Sequence, residues 1–286
     1  MTHKEENWSL VIKPQSKWWD FRLKEIWEYR DLIWIFVRRD IVAVYKQTVL
    51  GPLWFFLAPL FTVVAYNFVF GTIAGMDSKL NGVPPFVFYM AGTTMWNYFQ
   101  TSFTATSSTF TGNAAIFGKV YFPRMVAPIS TVLSSLFKFF IQMLMFLAFL
   151  AYYMLFEENS LHFTNWVYLF PVLVLMMSGL SLGFGIIVSA LTTKYRDLKN
   201  FIGFGISLLM YLSPVIYPVS AVSANYGWFT KFNPIAPILE AFRLGFTGSG
   251  TVSLWDLGYS GTFIALVLVV GAMLFHRVER TFMDTV

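Results

Sequence analysis

The segment Gly112-Asn-Ala-Ala-Ile-Phe-Gly118-Lys119 comes closest to a site for chemistry. Its glycines and lysine have the order found in nucleotide-binding loops, where backbone N–H groups hold phosphate. However, five residues separate the two glycines, where that loop has four. Val120 also occupies the position at which Ser or Thr would bind magnesium, and no strand pattern precedes the segment. The chain is therefore not expected to bind ATP by this route.

Histidine and acidic residues show no spacing typical of a catalytic or metal site. The three histidines, His3, His162 and His276, are far apart in the sequence, and the chain has no cysteine. Glu157 and Glu158 are adjacent, in a pattern more typical of a solvated turn than of paired acid and base groups. The sequence predicts no catalytic residue, no metal site and no cofactor held by this chain.

The composition indicates a protein surrounded by lipid. Hydrophobic residues make up 57% of the chain and charged residues only 12%, whereas about 25% charged residues is usual for soluble proteins. The net charge of +5 fits the excess of Lys and Arg on the cytoplasmic side of membrane proteins. Nucleic-acid binding would need a basic face on a soluble module, so membrane lipids, and no nucleic acid, are the predicted surroundings.

Six apolar segments are predicted to cross the membrane as helices. A helix needs about 20 apolar residues to span about 30 Å of hydrocarbon. The second segment is rich in Thr and Ser, and the fifth is short and ends near Pro214 and Pro218. The predicted fold is an all-α membrane protein with six transmembrane helices. The predicted spans are residues 53–73, 86–107, 129–156, 167–191, 201–217 and 259–275.

Lys and Arg fall mainly on one side of these spans, which predicts that both termini are cytoplasmic. The opposite side has only Lys79, Lys231 and Arg243. Lys138 is inside the third span, near its cytoplasmic end, where its side chain could reach the membrane–water interface. The cytoplasmic side has an N-terminal cluster that extends to Lys46, together with Lys119, Arg124, Lys194, Arg196, Lys199, Arg277 and Arg280.

Residues 29–50 have apolar side chains on one side of a helix and charged ones opposite, which predicts an amphipathic helix on the membrane surface. Some apolar residues fall outside the stripe, so contacts with both lipid and protein are expected. The chain is predicted to turn into the first span at Leu50, Gly51 and Pro52. Residues 1–28 form an N-terminal extension with no assigned role.

The segment 218–258 is too long and too apolar for an ordinary loop. It is predicted to form short helices that enter the outer leaflet and return, because irregular backbone at membrane depth must be buried in protein or line a cavity. Asn233 and Pro234 lie between these helices. Glu240 and Arg243, three residues apart, could form an outer gate, or a pair that neutralises its own charge.

Aromatic residues make up 20% of the chain. Those within or at the ends of spans could pack against lipid and protein. Alternatively, they could line a path for sugars, because aromatic rings stack on the apolar faces of sugar rings. The candidate channel residues are Trp54, Tyr66, Trp96, Tyr98, Tyr211 and Tyr217.

Several motifs together are similar to the permease subunits of polysaccharide-exporting ABC transporters, which export O-antigen, capsule or teichoic acid. This resemblance covers nearly the whole chain but does not specify the polymer. The motifs are Tyr29-Arg-Asp-Leu32, Val37-Arg-Arg-Asp40, Tyr45-Lys-Gln-Thr-Val-Leu-Gly-Pro-Leu-Trp54, Tyr121-Phe-Pro-Arg124, Tyr195-Arg-Asp197, Asn233-Pro234 and Phe275-His-Arg-Val-Glu-Arg-Thr-Phe282.

The resemblance implies a homodimer of this subunit with two copies of a separate ATP-binding subunit, which would hold the ATP and magnesium. The first and fifth spans of both copies would enclose the channel. The interfacial helix and the loop between the second and third spans would contact the ATPase. That loop is basic and aromatic, as suits a surface for a partner protein. The implied contact residues are Arg38, Arg39, Asn113, Lys119, Tyr121, Phe122, Pro123 and Arg124.

The predicted function is therefore the channel subunit of a transporter, not an enzyme, that exports lipid-linked polysaccharide, foremost O-antigen, across a bacterial inner membrane. One alternative is a permease for drugs or small lipids, which would need a defined pocket with a few polar anchors. Another is a multispan glycosyl- or acyltransferase. That enzyme would need clustered acidic or histidine residues at one membrane face, which the sequence does not show.

Overall fold

The computed structural model describes residues 23–46, 51–80, 82–120, 122–157, 161–195, 197–222 and 227–281. All regular elements within these ranges are helices, and none of the described residues lies in a β-strand. The predicted all-α class is therefore confirmed for this part of the chain.

The helices have the following bounds in chain order. The first six are α1 (Leu23–Glu28), α2 (Arg30–Lys46), α3 (Trp54–Tyr66), α4 (Pro85–Ser107), α5 (Thr109–Gly112) and α6 (Ala114–Phe117). The others are α7 (Val126–Phe156), α8 (Phe170–Lys194), α9 (Leu198–Leu212), α10 (Gly227–Phe232), α11 (Ala236–Thr247) and α12 (Leu254–Thr281). Shorter helical turns are Gly51–Leu53, Met76–Lys79, Asn165–Leu169 and Val219–Ala221, and a π-helical stretch, Asn67–Ile73, continues α3.

Four helical stretches in the described residues are long and apolar enough to cross a membrane. At 1.5 Å of rise per residue, about 20 residues span the hydrocarbon core. The four are Trp54–Ile73, Val126–Phe156, Asn165–Thr193 and Leu254–Val278. They correspond to the first, third, fourth and sixth predicted spans. The structure therefore has the character of a multi-pass membrane protein.

The second and fifth predicted spans are less apolar or shorter. Helix α4 has 23 residues but carries many Thr and Ser side chains. Helix α9 has 15 residues. It ends at Leu212, short of the predicted end of the fifth span, because Pro214 disfavours a helical conformation at the preceding residue. Ser213 is accordingly extended, with φ −98° and ψ 144°. The count of six spans stays a prediction.

Helix α8 lies at the centre of the protomer and packs against α4 and α12. Glycines allow the close approach of α8 and α12. A Cβ atom built at Gly183 would lie 2.8 Å from Val267 Cγ1, and one at Gly271 would lie 2.9 Å from the carbonyl oxygen of Gly183. Gly179 faces Ile264 in the same way. The spacing Gly179-x-x-x-Gly183 thus serves helix packing, as small residues do in membranes.

Candidate functional site

Helix α2 has a buried face and an exposed face among its described side chains. Phe36 and Val37 are buried, and the helix packs against α7. On its other sides, Trp34 and Ile35 are 70% and 61% exposed, and Trp27 of the preceding helix α1 is 71% exposed. The helix therefore contacts protein on one face and presents large apolar side chains on others. This arrangement fits a helix lying at a membrane surface, although the structure contains no membrane.

A cluster of buried phenylalanines connects α2 to the loop between α4 and α7. The rings of Phe36 and Phe122 meet edge to face with centroids 5.7 Å apart, and Phe122 also contacts Phe117. Phe110 stacks on Phe275 of α12 at 4.4 Å. We call this aromatic cluster the junction; it consists of Phe36, Phe110, Phe117, Phe122, Val126, Ala127, Ile186 and Phe275.

Phe122, one of the predicted contact residues, lies inside the junction. Its side chain is only 5% exposed, so it anchors the loop from within and has almost no surface to offer a partner protein. Gly118, Lys119 and Val120 are exposed at the tip of this loop. The Arg124 guanidinium lies 5.7 Å from the Phe117 ring centroid, so it also packs on the junction.

The other predicted contact residues lie close to the junction. Arg39 places its guanidinium 4.7 Å from the Phe36 ring centroid and binds the Asp40 carboxylate at 2.8 Å. Arg38 is exposed on α2. Asn113 donates a hydrogen bond from Nδ2 to the carbonyl oxygen of Thr109 at 3.0 Å. Tyr121 lies outside the described residues, and Pro123 is half-buried beside Phe122.

The predicted turn into the first span is partly described. Leu50 lies outside the described residues. Gly51 has φ +48° and no described atom within 4 Å of a Cβ built on it. Glycine is therefore favoured there by backbone conformation and not by lack of space. Pro52 belongs to the turn Gly51–Leu53, which leads directly into α3.

The predicted channel aromatics separate into two groups. Trp96 and Tyr98 are 1% and 2% exposed, and the Tyr98 and Ser178 hydroxyls are hydrogen-bonded at 2.6 Å. These two side chains are buried within one protomer, and their channel role stays a prediction. By contrast, Trp54 and Tyr211 are 48% and 56% exposed.

The remaining two candidates lie next to α9. The Tyr66 hydroxyl points to Met210 Sδ at 3.5 Å, and the Tyr217 hydroxyl donates to the carbonyl oxygen of Tyr211 at 3.1 Å. Sequence reasoning missed the extent of the apolar surface around Tyr66 and Tyr217, which is formed by α3, the π-helical stretch that continues it, and α9. Its most exposed members, all at least 47% exposed, are Trp54, Phe61, Val64, Phe68, Ile73, Phe201, Phe204, Leu208, Tyr211 and Leu212.

Glu240 and Arg243 form a buried ion pair in α11. Arg243 Nη1 lies 3.3 Å from Glu240 Oε1, and Nη2 donates to the carbonyl oxygen of Val215 at 2.5 Å. The guanidinium carbon lies 3.8 Å from the Phe88 ring centroid. Burial lowers the pKa of Arg243 to about 10, and Glu240 opposes this shift, so the side chain remains charged at neutral pH.

This pair acts as an internal clamp. Glu240 Oε2 also accepts a hydrogen bond from the Thr251 backbone N–H at 3.0 Å, so the pair connects α4, α11 and the segments on either side. Asn233 has a similar part: its Nδ2 donates to Ser213 Oγ at 2.8 Å, and its Oδ1 accepts from the backbone N–H of Ile235. With Pro234 next to it, Asn233 fixes the start of α11. The burial of Glu240 and Arg243 favours the interpretation that they neutralise each other's charge over the outer-gate interpretation.

The acidic and histidine side chains do not converge. Within the described ranges, no group of three or more His, Asp or Glu residues is placed to hold a metal ion. The features that the structure does bring together are the junction, the exposed loop tip and the clamp. They define a multi-pass helical membrane protein in which α2 and a loop are joined through the junction to the ends of the long helices α8 and α12.

Comparison with known proteins places this chain in a family. Residues 31–247 match the family described as ABC-2 type transporter, and the chain belongs to this family of transporter membrane proteins. It is similar to two proteins of Klebsiella pneumoniae, each named O-antigen export system permease protein RfbA. Their identities are 28% over 255 residues and 27% over 256 residues, and both alignments cover 89% of this chain and 94% of the relative.

A third relative comes from a different organism. The Myxococcus xanthus protein, also named O-antigen export system permease protein RfbA, is 28% identical over 226 residues. That alignment covers 77% of this chain and 82% of the relative. The resemblance found in the sequence motifs is confirmed at the level of the family.

Proposed function

We propose that this chain is the channel subunit of a transporter that exports lipid-linked O-antigen polysaccharide across a bacterial inner membrane. A separate ATP-binding subunit, which holds ATP and magnesium, drives the export. The family membership and the names of the three similar proteins support this assignment. In this view the chain itself catalyses no covalent chemistry, and it changes conformation in response to the ATP-binding subunit.

The observation that carries the proposal is the junction. Phe36 on α2, Phe122 in the loop and Phe275 on α12 belong to one buried cluster, which also includes Ile186 of α8. Close-packed side chains transmit displacement because they cannot be compressed. A force applied to the exposed loop tip or to α2 would therefore tilt α8 and α12, and would not be absorbed by a flexible loop.

The assembly has two copies of this chain. Helices α3 and α9 expose large apolar and aromatic side chains, and the Tyr66 hydroxyl at the end of α3 points to Met210 of α9. A second copy would face this surface across a channel, so that its aromatic side chains contact the polymer. The proposed topology has six spans, adds α4 and α9 to the four long apolar helices, and keeps both termini in the cytoplasm.

The test uses the purified chain reconstituted with its ATP-binding subunit and a labelled lipid-linked glycan. Lys119→Glu reverses a charge at the exposed loop tip. Lys79→Glu is the matched control, because Lys79 is also exposed and the charge pattern assigns it to the opposite side. Lys119→Glu is expected to lower ATP-driven export about tenfold, as for loss of about 1.4 kcal/mol of contact. Equal export by both variants would contradict the proposal.

A further inference from the structure

Lys138 is a cation within an apolar span. It lies in α7, one of the four stretches able to cross a membrane, and about 18 Å along the helix from Val126 at 1.5 Å per residue. Charged residues in such segments are costly and mark functional sites. Its Nζ lies 5.6 Å from the Phe55 ring centroid, and no carboxylate among the described residues lies within 4 Å of it.

The acidic residue beside Lys138 is Asp40, which lines the smaller cavity with it and is paired with Arg39. Asp40 of α2 accepts hydrogen bonds from Arg39 Nε at 2.9 Å and forms an ion pair with Arg39 Nη2 at 2.8 Å. The Ser134 hydroxyl also lies 3.3 Å from Asp40 Oδ2. Asp40 makes its close ion pair with Arg39 and attracts Lys138 only at longer range, so Lys138 has no close carboxylate partner in the described part of the chain.

Two adjoining cavities surround Lys138. The larger measures about 310 Å³, at the lower end of the range for ligand pockets, and the smaller measures about 170 Å³. Phe55, Thr101, Ser135 and Lys138 line both. The amides of Asn97 and Gln142 face the larger one, with Asn97 Nδ2 at 3.4 Å from Gln142 Oε1. The two cavities, together called the pocket, thus combine the Lys138 ammonium with hydroxyl and amide groups between α2, α3, α4 and α7, and the Asp40 carboxylate lines the smaller one.

We propose that this pocket binds the phosphate of a membrane lipid, with Lys138 as its counter-ion. A lysine ammonium is a point charge that binds phosphate well. Basic pockets between transmembrane helices are sites for anionic head groups. The hydroxyl and amide groups would hydrogen-bond the remaining phosphate oxygens and the attached glycerol or sugar. The phosphate can come from a phospholipid or from the lipid-linked glycan. If the phosphate belongs to the lipid-linked glycan, the inference rests on the proposed function. If it belongs to a phospholipid, the inference does not depend on that function.

The test measures lipid retained by the full chain, released from nanodiscs of phosphatidylcholine and weighed by native mass spectrometry. One set of nanodiscs contains phosphatidylglycerol, and the other contains a polyprenyl-diphosphate oligosaccharide. Lys138→Met is expected to lower retention of the bound lipid about tenfold, as for loss of one charged contact. Lys138→Arg should retain the lipid. Lys46→Met removes an exposed cation at the end of α2 and should also retain it.

Each outcome decides the proposal. Loss of phosphatidylglycerol in Lys138→Met identifies a phospholipid site, and loss of the oligosaccharide lipid identifies a substrate site. Equal retention of both lipids by the wild-type chain and Lys138→Met overturns the proposal. Should Lys138→Met fail to purify as a folded protein, Thr101→Leu, which fills the pocket, must give the same loss. Lipid retention needs no ATP and no partner subunit. The lipid-binding inference can therefore be refuted while the proposed export function is supported, and the export function can be refuted while lipid binding is supported.

Discussion

The Phe36 ring on α2 lies edge-on to the Phe122 ring in the loop before α7, with ring planes at 79°. Phe36 is 7% exposed and Phe122 5%. The contact therefore excludes solvent and joins two segments that the proposed function places against the ATP-binding subunit. We expect their motions to be coupled, because neither segment can shift without disturbing the ring of the other.

Removing either ring should destabilise the protein and uncouple export. Phe36→Ala and Phe122→Ala are each expected to cost about 3 kcal/mol of unfolding free energy through the cavity they leave. A double-mutant cycle should show a coupling of about 1 kcal/mol between the two rings. The measurement is denaturant unfolding of the purified chain in detergent. Trp34→Ala is the control, because Trp34 is 70% exposed. Strictly additive effects of the two substitutions would contradict the coupling.

The clamp in α11 gives a second prediction. Arg243→Met leaves the buried Glu240 carboxylate without its partner, which is expected to cost about 3–5 kcal/mol. The double variant Glu240→Gln with Arg243→Met should recover part of that loss, since no buried charge remains. Thermal unfolding in detergent measures both variants. Lys231→Met, at an exposed position of α10, should leave the midpoint unchanged. Equal stability of Arg243→Met and Lys231→Met would show that the pair is not a clamp.

Helix α12 offers a third test with an internal control. Gly271→Ala forces a methyl group against Ile186 and against the Gly183 carbonyl oxygen, which lie 2.8 and 2.9 Å from the built Cβ. This overpacking is expected to cost about 1–3 kcal/mol. Gly261→Ala, on the same helix, meets no described atom within 4 Å and should be neutral or slightly stabilising. Unfolding of both variants in detergent would show no difference if α8 and α12 were not in close contact.

The two groups of aromatic residues should respond differently to truncation. Trp54→Ala removes an exposed ring and is expected to slow export of long glycan chains while leaving unfolding within about 0.5 kcal/mol of wild type. Trp96→Ala empties a core position and is expected to cost about 3–5 kcal/mol. Export rate and glycan length, measured beside thermal unfolding, distinguish the two. A channel role for Trp54 would be refuted by unchanged export rate and chain length.

Helix positions could be predicted from the sequence because hydropathy and proline placement act locally. The apolar run of the third span became α7, and the prolines near the fifth span ended α9 at Leu212. The position of the basic loop before α7 was also foreseen from its composition. These features depend on residues close together in the chain.

The direction of each side chain could not be predicted in the same way. In a membrane, both lipid and protein surroundings accept apolar residues, so hydropathy does not tell a buried face from an exposed one. Trp54 and Trp96 look alike in sequence, yet one is 48% exposed and the other 1%. Phe122 appeared to be a surface residue because it lies among Lys119, Pro123 and Arg124, whereas its partners Phe36 and Phe275 are distant in the chain.

The central claim is that this chain moves only in response to a separate ATP-binding subunit. It is tested most directly by measuring ATP hydrolysis and glycan movement in vesicles that contain the purified chain alone or with that subunit. The account predicts no hydrolysis and no movement by the chain alone, and ATP-dependent movement by the complex. Hydrolysis of ATP by the chain alone, or equal movement with and without the partner, would contradict it.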